Sequence, residues 1–426
     1  MSERASESSA QSERASESSA RQSVAVIGSG VAGLTAAYLL RRTHDVTLLE
    51  ADDRLGGHAH THDLAGTFVD SGFIVHNDRT YPNLLRLFRE LGVSTQDSDM
   101  SMSVRCDGCG LEYAGAQKLP GLFPTAANAR SPRYLRMLGE VVRFHRHARR
   151  VLADPRAGDV TLGAFLAIGG YSQYFVDHFM IPVVSCVWSA GAELSLEYPA
   201  RYLFTFLDHH GLLAVGGSPQ WRTVVGGSRS YVERIVKEIP VVRTGSPVRS
   251  VTRGDGVRVD GERFDQVVIA THPDQALRLL ADPTDAERAA LGAFSYSRNE
   301  TWLHGDTAVL PRAQKARASW NYLKSTCASS DAPVLVSYDM NRLQRIDGAP
   351  YVVTLNGAAQ VDDATVIAKM TYEHPIYTPE SVAAQRNLPA LNTGVTAFAG
   401  AYHGWGFHED GCAAGVRAAE SLGTTW

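Results

Sequence analysis

Val24-Ala25-Val26-Ile27-Gly28-Ser29-Gly30-Val31-Ala32-Gly33-Leu34 is continued by Thr35-Ala36-Ala37-Tyr38-Leu39-Leu40 and closed by Val46-Thr47-Leu48-Leu49-Glu50. An apolar, β-branched run long enough for one buried strand leads into glycines spaced G-x-G-x-x-G. A helical pattern follows, then a second apolar run that ends in an acid. That order reads as a βαβ dinucleotide-binding unit. Gly28 permits the tight turn, Gly30 lets a pyrophosphate approach the backbone, and Gly33 lets the helix pack closely on the strand. Phosphates then lie at a helix N-terminus, beside the amides of Val31 and Ala32, where free N–H groups and the positive dipole end favour anions. Glu50, 17 residues after Gly33, is placed to accept hydrogen bonds from ribose hydroxyls and disfavours a 2′-phosphate.

The next stretch, Ala51-Asp52-Asp53-Arg54-Leu55-Gly56-Gly57, carries an R-x-G-G pattern. It resembles the turn after the ribose acid in FAD enzymes of the flavin amine oxidase and carotenoid desaturase superfamily. The resemblance implies FAD as the nucleotide, with Ala51 beside the ribose acid and Arg54 and the Gly56-Gly57 backbone at the pyrophosphate. Many relatives have Arg or Lys where this chain has His58. His58, His60 and His62 alternate as on one face of a strand, and their simplest reading is as strand residues near the cofactor or in solvent.

The rest of the composition narrows the class. The chain has 426 residues, enough for two or three domains. A net charge of -4 and a pI near 6.4 argue against a general nucleic-acid binder. No stretch reaches the roughly 18 to 20 uncharged apolar residues of a membrane span, so any membrane contact is expected to be peripheral. Residues 1–21 are polar and nearly repeat Ser-Glu-Arg-Ala-Ser-Glu-Ser-Ser-Ala; they read as a disordered tail without the apolar core of a secretory signal. Five cysteines (Cys106, Cys109, Cys186, Cys327, Cys412) fit a reduced, cytoplasmic setting better than a disulfide framework. Cys106-x-x-Cys109 invites a zinc reading, but a four-ligand site needs a second pair at comparable spacing and the sequence has none. No metal is expected.

Further along, Phe68 to Asn77 resembles the family stretch that returns past the flavin ring, with Gly72 and Phe73 at the close approach. Thr80 and Pro82 read as cap and first-turn residue of a helix ended by Gly92. Ser94 to Tyr113 reads as a hairpin around Gly108 and Gly110. Tyr134 to Leu152 reads as a helix with Leu135, Leu138, Val142 and His145 on one side. Phe175 to Trp188 and Tyr198 to Leu213 are dense in aromatic residues, which suits core and also the wall of an apolar substrate tunnel. Trp221 to Tyr231 resembles the family's G-G re-entry into the FAD domain, Val248 matches the residue whose backbone meets the adenine, and Phe264 to Thr271 reads as a buried parallel strand ending at Ala270-Thr271. Strands between Phe294 and Pro389 then predict an antiparallel sheet flooring the substrate cavity.

The last block, Thr396 to Gly415, is a strand, a glycine-rich turn and a helix of small residues, as in the family's C-terminal FAD motif. The helix N-terminus, at Phe407 and His408, is expected to face the flavin pyrimidine edge. Gly400-Ala401 stands where relatives usually have Gly-Asp, so the usual carboxylate toward the ribityl phosphate is missing.

The expected fold is α/β: a Rossmann-like FAD-binding domain (22–78, 224–290 and 390–426) interleaved with an α+β substrate domain (79–223 and 291–389) that contains an antiparallel sheet. The expected activity is an FAD-dependent oxidase or dehydrogenase taking a hydride from a largely apolar substrate, a modified or unsaturated fatty acyl chain, with oxygen or another electron acceptor. Resemblance of the G-G-S-R, Tyr-Asp-Met-Asn-Arg-Leu-Gln and Gly-Phe-His-Glu-Asp-Gly stretches to bacterial NAD/FAD-binding proteins linked to fatty-acid modification implies that substrate. If a proton also leaves, Tyr402, His403, His408 and Glu409 are the candidates. Two alternatives stay open at this point. One is a flavin-containing amine oxidase, although Lys324 is the only strand lysine near the expected position and its surroundings differ. The other is a non-catalytic lipid-binding protein of the same fold.

Overall fold

The computed structural model describes residues 21–115, 118–156, 158, 160–213, 218–328 and 334–426. The expected tail lies, except for Arg21, outside the described residues.

The opening sequence builds the middle of a parallel five-stranded sheet. Ser23–Ile27 pairs with Asp45–Leu49 on one side and Gln266–Ile269 on the other; Val241–Arg243 and Thr396–Phe398 form the edges. The central strands read as continuous apolar runs because both faces are covered. Val24 and Val26 face the core that includes helix Val31–Leu40, while Ala25 and Ile27 face a core shared with Val267, Ile269 and Phe398.

Helix Val31–Leu40 has no polar face, since every one of its residues is buried. It packs along helix His408–Ser421, and glycines set that contact. A Cβ on Gly411 would lie 2.7 Å from Val31 Cγ1, and one on Gly415 would overlap the Ala32 carbonyl. Two helix N-termini are thereby brought side by side above the carboxyl ends of the parallel strands, where ligands bind in open α/β sheets.

A second, seven-stranded sheet runs in the order Val366–Ile376, Ser295–His304, Val352–Leu355, Val336–Asp339, Trp320–Lys324, Met102–Cys106, Leu111–Ala114. The expected antiparallel sheet is there, with one difference: Trp320–Lys324 and Met102–Cys106 pair in parallel, bringing the hairpin of residues 102–114 in from the earlier segment.

Two local expectations need correction. In helix Pro132–Ala153 the buried stripe is Tyr134, Met137, Glu140, Phe144 and Ala148. Leu135 and Val142, expected inward, are 45% and 49% exposed; the helix is rotated so that Tyr134, Met137, Phe144 and Ala148 face the core, with Leu138 and Val141 at its margin. Helix Pro82–Leu91 does begin with Pro82 and end at Gly92 in the left-handed region, but Thr80 does not cap it: its hydroxyl bonds Asn77. The Glu409 carboxylate supplies the cap, accepting from Asn83 N (3.1 Å), Asn83 Nδ2 (2.7 Å) and Leu84 N (3.0 Å).

Candidate functional site

Between the two sheets lies a cavity of about 670 Å³, within the range of small-molecule sites. Its dinucleotide end is built from the opening motif. Gly28 turns at φ 99°, and a Cβ there would sit 2.7 Å from the Ala270 carbonyl. At Gly33 a Cβ would overlap the Gly28 carbonyl oxygen, which explains close helix packing and keeps Gly33 out of the cavity wall. Gly30 differs from both: a Cβ there meets nothing within 4 Å and points into open space. Gly30, Val31 and Ala32 line the cavity, and the helix begins at Gly30 without a side-chain cap. Its first-turn amides are therefore free for an anion. These features fit the pyrophosphate of a dinucleotide.

Glu50 lines the same end. Its Oε2 accepts from Ser29 N (2.7 Å) and Ser29 Oγ (2.6 Å), and Oε1 from Asp52 N (3.0 Å). Ala51 and Gly57 line the wall beside it, Gly57 at φ 56° within reach of the Gly30 backbone. Arg54 and Gly56 do something other than expected. Arg54 donates to the carbonyls of Leu55 (3.2 Å), Ala59 (3.1 Å) and Gly57 (2.7 Å), and the Gly56 amide is committed to Ser29. Neither lines the main cavity; they shape the turn that presents Gly57.

Val248, Ala270, Thr271, Gly400 and Ala401 line the wall as the chain crosses from the parallel sheet. Gly72 and Phe73 do too, but Gly72's missing Cβ leaves room for the His58 backbone. Phe73 stacks on His408 with ring centroids 3.7 Å apart and planes 8° apart. His408 Nε2 lies 3.0 Å from Tyr231 Oη. Burial, and then the neighbouring His58 and His76, hold the His408 imidazole well below its ordinary pKa. His58, 5.0 Å from the Tyr372 ring, is pushed down to about 3 by burial and then by His374. Both are neutral at pH 7.

Of the four residues expected to handle a proton, Tyr402 and His408 line the cavity, as does the cofactor candidate Phe407. His403 does not: its Nε2 is buried without a partner away from the wall. Glu409 does not line the cavity either, its carboxylate being taken up by the cap on helix Pro82–Leu91.

The opposite wall comes from the expected cavity floor and from the end of the Phe175 to Trp188 stretch, but its individual residues, Tyr372, Glu373 and His374 above all, were not singled out by sequence reasoning. Trp188 and Ser189 come from the end of helix Ile181–Trp188; Trp320, Tyr338 and Leu355 from three neighbouring strands; Tyr372, Glu373 and His374 from Val366–Ile376. Tyr372 and His374 alternate on that strand, which was a usable signal. Trp405 completes the wall, and Trp188 Nε1 donates to its carbonyl at 2.9 Å. The Trp320 and Trp405 indole nitrogens are themselves buried without a partner. The expected aromatic tunnel wall is largely core instead: Phe175, Phe179 and Phe204 close around Phe144. Lys324 is not in the cavity. It is buried beside Cys106, Cys109 and Cys327. The expectation that Cys106 and Cys109 find no further ligands also fails, because Cys327 and His178 complete a cluster with them. Among the described residues, no helix is long and apolar enough to cross a membrane.

The sequence profile of a family described as flavin containing amine oxidoreductase matches residues 31–342. A Mycobacterium tuberculosis protein named as a flavin-containing monoamine oxidase is 28% identical over 346 residues, covering 75% of this chain and 70% of its own. Among solved structures, the CLA-producing fatty acid isomerase from P. acnes superposes with a TM-score of 0.67 at 17% identity, over 92% of this chain and 97% of its own. Cyclohexylamine oxidase from Brevibacterium oxydans does so with a TM-score of 0.67 at 18% identity, over 94% and 98%. At such identities these two likenesses speak to the fold. The profile match spans most of the chain and meets the dinucleotide end at Val31, so the protein belongs to the flavin containing amine oxidoreductase family and is an FAD-dependent oxidoreductase.

Proposed function

We propose that the enzyme takes a hydride from a largely apolar substrate, a modified or unsaturated fatty acyl chain. The supporting observation is the placing of charge in the cavity. Its only carboxylates among the described lining residues are Glu50, held on Ser29, and Glu373, 3.3 Å from His272 beside Thr271. Glu373 is the one acid on the opposite wall among the described residues, and it faces His272; the stretch formed by Trp188, Trp320, Tyr338, Leu355 and Val187 carries none. An ammonium group would have no counter-charge there, whereas each buried methylene contributes roughly 0.8 kcal/mol.

FAD, when bound, supplies the hydride acceptor and is restored by oxygen or another electron acceptor. The chain's own residues do the rest. Gly30, Val31 and Ala32 hold the pyrophosphate and Glu50 the ribose. Val248, Ala270, Thr271, Gly400 and Ala401 border the cofactor. The aromatic wall aligns the substrate and excludes water. Tyr402 and His408 are the expected proton-handling groups that border the cavity. The division into FAD-binding (22–78, 224–290, 390–426) and substrate (79–223, 291–389) domains belongs to the same proposal.

A second reading is amine oxidation. Trp188, Trp320, Tyr338 and Trp405 line the cavity, and aromatic faces attract cations. The two readings separate in an anaerobic experiment in which oxidised enzyme meets phospholipids, modified or unsaturated fatty acids, and a panel of amines. Bleaching of the flavin absorbance by acyl compounds is expected. Bleaching by amines with no response to any lipid would overturn the acyl reading.

A further inference from the structure

Where the paired strands Met102–Cys106 and Trp320–Lys324 of the seven-stranded sheet end, three segments distant in sequence meet. The turn between Met102–Cys106 and Leu111–Ala114 brings Cys106 and Cys109; the loop after Trp320–Lys324 brings Cys327; the π-helical turn Val176–Met180 brings His178. Their four ligand atoms lie within 4.8 Å of one another. Cys106 Sγ is 3.8 Å from Cys327 Sγ, and Cys109 Sγ is 3.7 Å from His178 Nε2. Zinc at about 2.3 Å from sulfur and about 2.0 Å from nitrogen sets tetrahedral edges of about 3.5 to 3.8 Å. These two separations are of that size, the others lie within 4.8 Å, and 3.8 Å between sulfurs is far too long for a disulfide.

The surroundings also suit a metal. His178 Nδ1 is 3.1 Å from the Tyr174 carbonyl. A carbonyl only accepts, so Nδ1 carries the proton and Nε2 turns its lone pair on the sulfurs, as in metal-ligating histidines. The Cys109 amide donates to the Cys106 sulfur. Gly108 is required by the approach: a Cβ there would lie 2.7 Å from Cys327 N. Asp107 N donates to the Lys324 carbonyl at 2.8 Å, holding the two segments together. Three thiolates, a neutral imidazole and Zn²⁺ sum to one negative charge, and buried Lys324 stands beside the sulfurs to balance it.

We infer that Cys106, Cys109, Cys327 and His178 form a structural zinc site. Four protein ligands leave no open position, so the ion is a clamp and not a catalyst. Binding releases the three thiol protons to solvent. The clamp pins the π-helical turn at the root of helix Ile181–Trp188, whose far end supplies Cys186, Val187, Trp188 and Ser189 to the cavity wall.

The test is metal analysis of the full-length, FAD-loaded protein purified without chelators from zinc-supplemented medium. About one zinc per chain is expected, falling to below about 0.1 in Cys109→Ser and Cys327→Ser while flavin content is kept. Should either variant fold poorly, cobalt exchange into the wild type serves instead, giving sulfur-to-cobalt charge-transfer and tetrahedral d–d bands. A yellow wild-type protein that takes up neither zinc nor cobalt refutes the site. So does a Cys106–Cys327 disulfide found by mass spectrometry in the freshly purified protein, or zinc content unchanged in both variants.

Discussion

Gly30 and Gly33 belong to one motif, three residues apart, yet the structure gives them opposite tasks. An alanine at Gly30 places its methyl in open space at the cavity wall, and the backbone there, φ -64° and ψ 173°, is ordinary for any residue. The cost to the apo fold is that of replacing glycine by alanine at a helix N-cap, at most about 1 kcal/mol. With an unfolding entropy of about 2.1 cal/mol/K per residue, that is a Tm change of about 1 °C for a chain of this length. The methyl occupies the path of the pyrophosphate, so FAD affinity is expected to fall at least about tenfold, roughly 1.4 kcal/mol. An alanine at Gly33 places its methyl on the Gly28 carbonyl oxygen, with Gly28 C and Ala270 Cβ each 3.1 Å away. All three are fixed by the parallel sheet, so helix and strand must separate. Overpacking of this kind costs about 1 to 3 kcal/mol or more, against about 1 kcal/mol gained from helix propensity. Apo-protein Tm by calorimetry and FAD affinity by fluorescence titration measure the two effects separately. Wild-type FAD affinity in Gly30→Ala, or an unshifted apo Tm in Gly33→Ala, refutes the assignment of tasks.

Two further predictions concern carboxylates and histidines. Glu409→Gln keeps one acceptor of the cap on helix Pro82–Leu91 and Glu409→Ala removes both, so losses of about 0.5 and up to about 2 kcal/mol are expected in unfolding experiments; turnover per bound flavin stays at the wild-type value, and a large drop there would restore Glu409 to the chemistry. Glu50→Gln weakens FAD retention by about 1 to 3 kcal/mol, beyond an apo-stability loss of about 0.5 kcal/mol from the acceptor taken from Ser29 or Asp52. Burial lowers His58 to about 3 and His374 to about 4, so the unfolded chain takes up protons from pH 6.5 downward before the folded one does. Stability is therefore present above pH 6.5 and lost as the pH falls toward 4; Asp410, raised to about 7 by burial, works in the opposite direction. A Tm that stays flat or rises between pH 7 and pH 5 contradicts the dominance of the histidines.

What could be read from the chain follows how far each constraint reaches along it. The nucleotide unit was legible because Gly28, Gly30, Gly33 and Glu50 act within one βαβ turn, and the steric demand on each shows in the residue type. The inward face of helix Pro132–Ala153 was not, because Leu135 and Tyr134 are both acceptable core residues and only the partners, Phe165, Phe175 and Phe204 around Phe144, decide between adjacent stripes. Glu409 looked chemical because it stands beside the cofactor segment. Its true partners, the amides of Asn83 and Leu84, lie more than 300 residues earlier, 326 and 325 positions away.

The cysteine cluster takes this argument to its limit. Cys106 and Cys109 announce half a metal site by spacing alone, and the search for a second pair failed because no second pair exists. The remaining ligands are single residues, Cys327 at 221 positions from Cys106 and His178 at 69 from Cys109. They are brought in by one parallel strand pairing and one π-helical turn, neither of which has a residue signature. A four-ligand site assembled as two plus one plus one is invisible to spacing rules, yet it obeys the same coordination chemistry as one assembled as two plus two. The departure from an all-antiparallel sheet and the odd turn at Val176–Met180 are then the structural means by which the ligands meet, and removing the ion should be felt first at Trp188, on the other end of the helix that turn begins.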